Sequence, residues 1–295
     1  MVYVRLLRVK HYLKNILILI PFIFGHKLYD VRSYPVLLSG FFVFSMICSV
    51  VYIINDLKDI ELDRKHPVKC RRPLAAGQVS VKEAYLICSV LFVLSACIYT
   101  YLWFHVEHKI VSLSLLILVT YLVLNMWYSI GGGKEIPIVD IIILVSGFLI
   151  RVVFGSILTN VKISGWLYLV VITISFYMAL GKRRNELKKH HHQNTRGVLA
   201  FYNMGFLDKN MYVCQTLAIA FYALWTVDAE VMSESANGKW AIWTVPLVII
   251  MAMKYSLDIE GESEGDPIEV ILGDKMLIAA GVVYVFIMYF IIYGI

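Results

Sequence analysis

The richest chemistry in the chain lies in Asn55-Asp56-Leu57-Lys58-Asp59-Ile60-Glu61-Leu62-Asp63, at the end of an apolar run. On a continuing helix Asn55, Asp59 and Asp63 fall at i, i+4 and i+8 on one face, with Tyr52 one turn earlier. Acids stacked in this way repel one another, and a helix C-terminus adds negative potential, so a divalent cation is the natural compensation. The ligand set is oxygen-only, without convergent His or Cys. It suits Mg²⁺, which is held by one or two carboxylates and completed by substrate phosphates. An isolated acidic cluster after a span is as readily a solvated loop. Here His66, Lys69, Arg71 and Arg72 follow within a few residues, so one short segment offers metal ligands and phosphate-binding cations together. That pairing fits a diphosphate substrate: the metal neutralises the leaving group while Lys and Arg hold the other phosphates.

Other candidates stand alone. Arg151 lies deep inside a further apolar run, where a charge is costly unless it faces a polar cavity or a partner, and this marks it as functional. Lys14 and the group Lys182, Arg183 and Arg184 sit at the ends of apolar runs, where basic residues also serve as topology anchors. Three consecutive histidines, His190 to His192, cannot all face one ion on a helix, so no metal site is expected there. The acidic stretch Glu260 to Asp266 reads as solvated loop. Cys48, Cys70, Cys88, Cys97 and Cys214 show neither C-x-x-C spacing nor a second-ligand pattern and receive no role.

The elements that must position these residues are membrane helices. The 295 residues are 60% hydrophobic and 16% charged, with a mean hydropathy of +0.74, which argues against a soluble fold. Apolar runs near the ~20 residues that cross a bilayer recur throughout. They are continuous rather than alternating, which favours helices over barrel strands. Nine spans are expected, at about Tyr12–His26, Pro35–Ile54, Ala84–Phe104, Ile110–Tyr128, Pro137–Leu158, Trp166–Gly181, Met211–Val231, Trp240–Lys254 and Met276–Ile295. No composition shift or linker divides them, so residues 1–295 read as a single all-α transmembrane domain. No small-residue cleavage site follows the first run, and a removable signal peptide is not expected. With nine spans, 21 of the 27 Lys and Arg residues fall on the side of the N-terminus, which makes that side cytoplasmic. The net charge of +6 is thus a one-sided basic surface, suited to anionic lipid headgroups or anionic substrates. Nucleic acid is not an expected partner, because no recognisable binding module or stacking platform is present.

The run Asn55 to Ser80, NDLKDIELDRKHPVKCRRPLAAGQVS, resembles the first Asp-rich motif of the UbiA-type prenyltransferase superfamily, N-D-x-x-D-x-x-x-D followed by R-P-L/I-x-x-G. Within that superfamily HPVKCRRPL is similar to the H-P-x-K-x-x-R-P-I/L signature of the decaprenyl-phosphate phosphoribosyltransferases. Further landmarks keep the same order: VKHYLKN (9–15), YSIGGGKEIPIVD (128–140), GFLIR (147–151), LGKRRNEL (180–187) and GDPIEVILGD (265–274). One departure is informative. Aromatic prenyltransferases carry a second D-x-x-x-D, whereas Asp140 is followed four residues later by Leu144. Lys134, Asp140 and Arg151 in place of a second acidic pair shift the balance from metal binding toward direct cation contacts, as a more highly phosphorylated donor requires.

The resemblance implies a UbiA-like helical bundle in the inner (cytoplasmic) membrane with its active site facing the cytoplasm. It also implies Mg²⁺-dependent transfer of 5-phosphoribosyl from 5-phosphoribosyl 1-diphosphate to a polyprenyl phosphate, with release of diphosphate. A phosphate nucleophile is already ionised at neutral pH, so no acid/base dyad is needed, and none is evident. On this reading Asn55 and Asp59 ligate the metal, Asp56 and Asp63 are auxiliary acids, and Asp140 contacts ribose or metal-bound water. Tyr52, Lys69, Arg72, Tyr128, Lys134 and Arg151 hold the donor, while Lys14, Lys182 and Arg183 meet the lipid phosphate. The rival enzyme is an aromatic or quinone prenyltransferase with a prenyl diphosphate donor. A lipid or solute transporter is the rival of another class, and it would be expected to show inverted repeats, which are not seen. Prenyl length and oligomeric state have no signature in the sequence.

Overall fold

Long apolar runs leave the backbone no water to bond, so its polar groups must be satisfied within each segment. Among the described residues every regular element is accordingly helical. The computed structural model describes residues 2–66, 68–189, 197–261 and 265–294. The chain divides into two compact units, Met1–Lys134 with Ile150–Lys162, and Glu135–Leu149 with Ile163–Ile295.

The first unit holds α1 (Val2–Leu6), a 3-10 helix (Val9–Leu19), α2 (Ile20–Phe24), α3 (Tyr34–Lys58), α4 (Ile60–Lys65), α5 (Val81–His105), α6 (His108–Ser129) and the C-terminal half of α7 (Val139–Thr159). Pro35 opens α3 where no backbone donor is required. Ser80 and Glu83 open α5 with a reciprocal capping box, each accepting the other's backbone N–H. Ile18, Phe22, Phe44, Tyr121, Phe154 and Leu158 form its principal core. Gly155 lets α7 press against the 3-10 helix: a Cβ there would overlap the Ile18 carbonyl oxygen and lie 2.8 Å from its carbon.

The second unit holds the N-terminal half of α7, then α8 (Gly165–Lys189), α9 (Met204–Thr226), α10 (Ala229–Glu234), α11 (Val245–Glu260), α12 (Pro267–Gly273) and α13 (Lys275–Tyr293). Asn203 and Asp274 cap α9 and α13 by accepting backbone N–H bonds of 2.8 Å from Phe206 and Leu277. Tyr177, Leu180, Leu207, Met211 and Ile259 are central to its core.

Among the described residues seven helices are long and apolar enough to cross a membrane: Val31–Lys58, Val81–His105, His108–Ser129, Val139–Thr159, Gly165–Lys188, Gly238–Glu260 and Lys275–Tyr293. Each coincides with an expected span, and the protein is an all-helical, multi-pass membrane protein. The two other expected segments are helical without joining that group. Tyr12–His26 is shared between the 3-10 helix and α2, and Met211–Val231 falls largely in α9, whose apolar character is diluted by Lys209, Asn210 and Gln215. α8 runs past its expected end at Gly181 to Lys189, held by an i,i+3 bond of 2.5 Å from Arg183 to Glu186. It therefore presents Lys182 to Lys188 on a helix rather than a loop.

Candidate active site

The Asp-rich segment forms as α3 gives way to α4. α3 ends at Lys58, and Asp59 takes φ −95° and ψ 10° before α4 begins. Helical bonding nonetheless continues through the break, from Asp59 N to Asn55 O at 3.0 Å and from Asp63 N to Asp59 O at 2.8 Å. The side chains do not follow the expected single face. Asp56 and Asp63, seven residues and two turns apart, share Arg72, whose Nη1 donates to Asp56 Oδ1 at 3.0 Å and to Asp63 Oδ2 at 2.8 Å. Asp59 instead accepts from Lys134 Nζ at 3.2 Å. The expected stack is corrected at Asp63, which the break at Asp59 and the two-turn register turn toward Asp56 rather than Asp59.

The segment after α4 brings Arg72 to these acids. His66 Nδ1 accepts the backbone N–H groups of Val68 and Lys69, each at 3.2 Å, and so starts the 3-10 turn Lys69–Arg71. His66 thereby shapes the loop through its ring nitrogen. Arg72 leaves the turn extended, as a residue before proline must. Lys69 is half-buried beside it.

A polar stripe runs from this point along α3. Arg8, at the start of the 3-10 helix, donates to Asp56 Oδ1 at 2.5 Å and lies 4.8 Å above the Tyr52 ring, which also meets His11. One turn further along α3, Tyr12 and Ser49 share a hydroxyl bond of 2.7 Å, and beyond it Asn15 Nδ2 donates to Ser45 Oγ at 2.8 Å. Arg151 closes the stripe. It is 4% exposed, donates to Asn15 Oδ1 at 2.7 Å, reaches Cys48 Sγ and the Tyr121 hydroxyl at 3.3 and 3.4 Å, and lies over the Phe44 and Tyr121 rings. Cys48 is two helical turns deeper than Asn55, so Arg151 braces the interior of α3 rather than lining the Asp-rich end. Lys14 and Tyr128 are half-buried.

In the second unit Asp140 and Arg183 meet each other. Both side chains are fully buried, with Nε donating to Oδ2 at 2.6 Å. The Tyr202 hydroxyl donates to Asp140 Oδ1 at 2.6 Å and accepts the Ile138 N–H at 2.6 Å. Burial first, then the bond to the Asp140 carboxylate, pushes the Tyr202 phenol up to about 12. Both Asp140 oxygens are thus engaged, and Arg183 has no open surface from which to meet a lipid phosphate. Lys182 is half-buried, and the Gly265 backbone packs on α8 beside it: a Cβ at Gly265 would lie 3.0 Å from the Lys182 Cα. His190 to His192 lie outside the described residues.

Among the described residues no three His, Cys, Asp or Glu side chains converge as a metal cage. The oxygen donors of Asn55 and Asp59 still fit Mg²⁺, which takes few protein ligands and fills its shell with water and phosphate. Sequence reasoning missed four participants: Arg8, Asn15, Glu186 and Tyr202. The i,i+3 spacing of Arg183 and Glu186 was an available signal, whereas Arg8 and Tyr202 find partners 48 and 62 residues away.

A helical membrane bundle with this Asp-rich helix end defines a class. The chain belongs to the UbiA prenyltransferase family, whose sequence model matches residues 18–265, and it is a membrane transferase. Among its relatives, the decaprenyl-phosphate phosphoribosyltransferase of Corynebacterium glutamicum is 32% identical over 287 residues, covering 96% of this chain and 84% of that protein. The Mycobacterium tuberculosis protein of the same name is 31% identical over 283 residues, covering 93% and 88%. In fold the chain is similar to a UbiA homologue from Archaeoglobus fulgidus solved with DMAPP and Mg²⁺. The TM-score is 0.68 at 18% identity, covering 97% of this chain and all of that one.

Proposed function

We propose that the protein transfers 5-phosphoribosyl from 5-phosphoribosyl 1-diphosphate to a polyprenyl phosphate at the cytoplasmic face of the inner membrane. The relatives' names support the substrates, and the basic residues on the N-terminal side of the spans support the facing. The observation that carries the reading is the matching of acids by cations. Asp56, Asp59 and Asp63 are paired with Arg8, Arg72 and Lys134, so the segment offers positive groups to a polyphosphorylated donor as well as oxygen ligands.

Asn55 and Asp59 would hold Mg²⁺, which when bound offsets the charge of the departing diphosphate. Lys134 and Lys69 bind the donor phosphates, with the remaining donors of Arg72. Tyr52 packs at the same end of α3, and Lys14 meets the acceptor phosphate. Asp140 and Arg183 brace the second unit, and Arg151 braces the interior of α3. As an acceptor phosphate oxygen bonds to ribose C1, the bond from C1 to diphosphate breaks, and no proton need move.

The test is diphosphate release by purified protein in detergent, with each substrate omitted in turn and with or without EDTA. Release that needs both substrates and the metal, with formation of a phosphoribosylated lipid, is the expected result. The fold's likeness to a protein solved with DMAPP favours one second reading, a prenyl diphosphate donor. Turnover only with a prenyl diphosphate and 4-hydroxybenzoate would establish that reading and overturn ours.

A further inference from the structure

We infer that Arg8 is a positioning residue for the donor site: through Asp56 it fixes the Arg72 guanidinium and cancels a negative charge that would otherwise repel the donor. The inference rests on the proposed polyphosphorylated donor. Asp56 is 3% exposed, and its Oδ1 accepts from Arg8 and Arg72 together. Arg72 uses only Nη1 for Asp56 and Asp63. Its side chain remains 27% exposed, and Nε and Nη2 make no bond among the described residues. The two carboxylates therefore clamp one corner of the guanidinium and leave its other donors for a phosphate, in the fork geometry that arginine provides.

Charge explains why a second arginine is needed. Arg8 and Arg72 against Asp56 and Asp63 form a neutral cluster. Without Arg8 the cluster carries one net negative charge next to the residues that must attract a polyanion, in a half-buried setting where screening is weak. The chain leading to Arg8 is held in place. Leu6 is fully buried among Val50, Ile53 and Leu74, Arg5 donates to Gln78 at 2.7 Å, and the Leu7 carbonyl accepts from Ser49 at 2.8 Å. Arg8 itself adopts φ 52° and ψ 46°, a left-handed backbone that non-glycine residues seldom take and that persists where surrounding contacts impose it.

The test compares wild type with Arg8→Met, Asp56→Asn and the double variant in the detergent assay, reading KM for 5-phosphoribosyl 1-diphosphate and its Kd by equilibrium dialysis with Mg²⁺. Arg8→Met should raise both about tenfold or more, while adding Asp56→Asn, which restores neutrality, should lower them again about threefold or more relative to Arg8→Met. An arginine that merely anchors α1 would not be rescued by a change at Asp56, so a double variant as impaired as Arg8→Met overturns the inference. If Arg8→Met does not yield a monodisperse protein, Arg8→Lys keeps the charge and loses the fork. Near-native KM there supports the charge argument, and a KM as high as that of an uncharged Arg8→Gln refutes it. Wild-type protein that turns over prenyl diphosphate alone fails the functional reading. The same variants are then measured with that donor, where absence of charge rescue refutes the role of Arg8 separately.

Discussion

Replacing Arg183 by Met decides whether this arginine braces the second unit or meets a ligand at an open surface. In the native chain Arg183 and Asp140 are fully buried and joined at 2.6 Å, and Arg183 also holds Glu186 at 2.5 Å. Without the guanidinium, Asp140 keeps the Tyr202 hydroxyl as its one side-chain donor among the described residues. Stranding a buried carboxylate in this way costs about 3–5 kcal/mol. Arg183→Met combined with Asp140→Leu withdraws both charges, and apolar replacements of buried pairs range from about neutral to a few kcal/mol stabilising. Tyr202 and Glu186 each lose a partner in the double variant, at about 1 kcal/mol per bond. The double variant should therefore be more stable than Arg183→Met alone, by roughly 2 kcal/mol. Unfolding by added SDS in mixed micelles, followed by far-UV circular dichroism, measures this difference. Additive destabilisation would refute the argument, and so would an Arg183→Met protein with a native unfolding midpoint and only a raised KM for the acceptor.

Three further outcomes follow from the same geometry. Asp59→Asn should lower turnover in saturating Mg²⁺ by about 10²-fold or more, and wild-type turnover would overturn the metal assignment. Gly155→Ala should destabilise the first unit by about 1–3 kcal/mol, because the new methyl group meets the Ile18 backbone and not a side chain that could swing away. An unchanged thermal midpoint would show that the 3-10 helix slides freely on α7. Tyr202 keeps its proton up to about 12, above the ordinary tyrosine value of 10. Its bond to Asp140 is thus fully present below the unfolded value and fades as pH rises through the folded one. The stability gap between wild type and Tyr202→Phe should be constant from about pH 7 to 10 and close above that, whereas a gap lost by about pH 9 would refute the assignment.

What the sequence disclosed divides by the range of the interaction. Seven membrane helices were legible because apolarity sustained over about 20 residues has few other uses. Arg151 was legible as a buried charge that needs polar partners for the same reason, although nothing in its own run named Asn15, 136 residues away, as one of them. The Asp-rich motif was recognisable from its spacing together with the basic run that follows it, yet its faces were not. Asn55, Asp59 and Asp63 do continue the i,i+4 backbone ladder, and the turn that separates their side chains depends on where Arg72 and Lys134 arrive from other segments. Asp140 and Arg183 carry a more general lesson. Each looks like a ligand-binding charge in the sequence, and only three-dimensional pairing shows that each satisfies the other.

The 3-10 form of the first segment follows from register. Its side chains pair with α3 in antiparallel order, Arg8 with Asp56, Tyr12 with Ser49 and Asn15 with Ser45. From Asp56 to Ser45 an α-helix advances about 16 Å, and from Arg8 to Asn15 a 3-10 helix advances about 14 Å, a mismatch the long Arg8 side chain can bridge. In α-helical form the same seven steps cover about 10 Å, and one rung would be lost. The three-residue period also keeps Tyr12, Asn15 and Ile18 eclipsed on one line, whereas an α-helix would rotate each step by about 60° away from α3. Asn15 and Ile18 are indeed the buried residues of this helix. The same stretching gives Val9–Phe24 a rise of about 30 Å. The polar rungs that lead to Arg8 and Arg151 thus match the 3-10 form of this segment to α3.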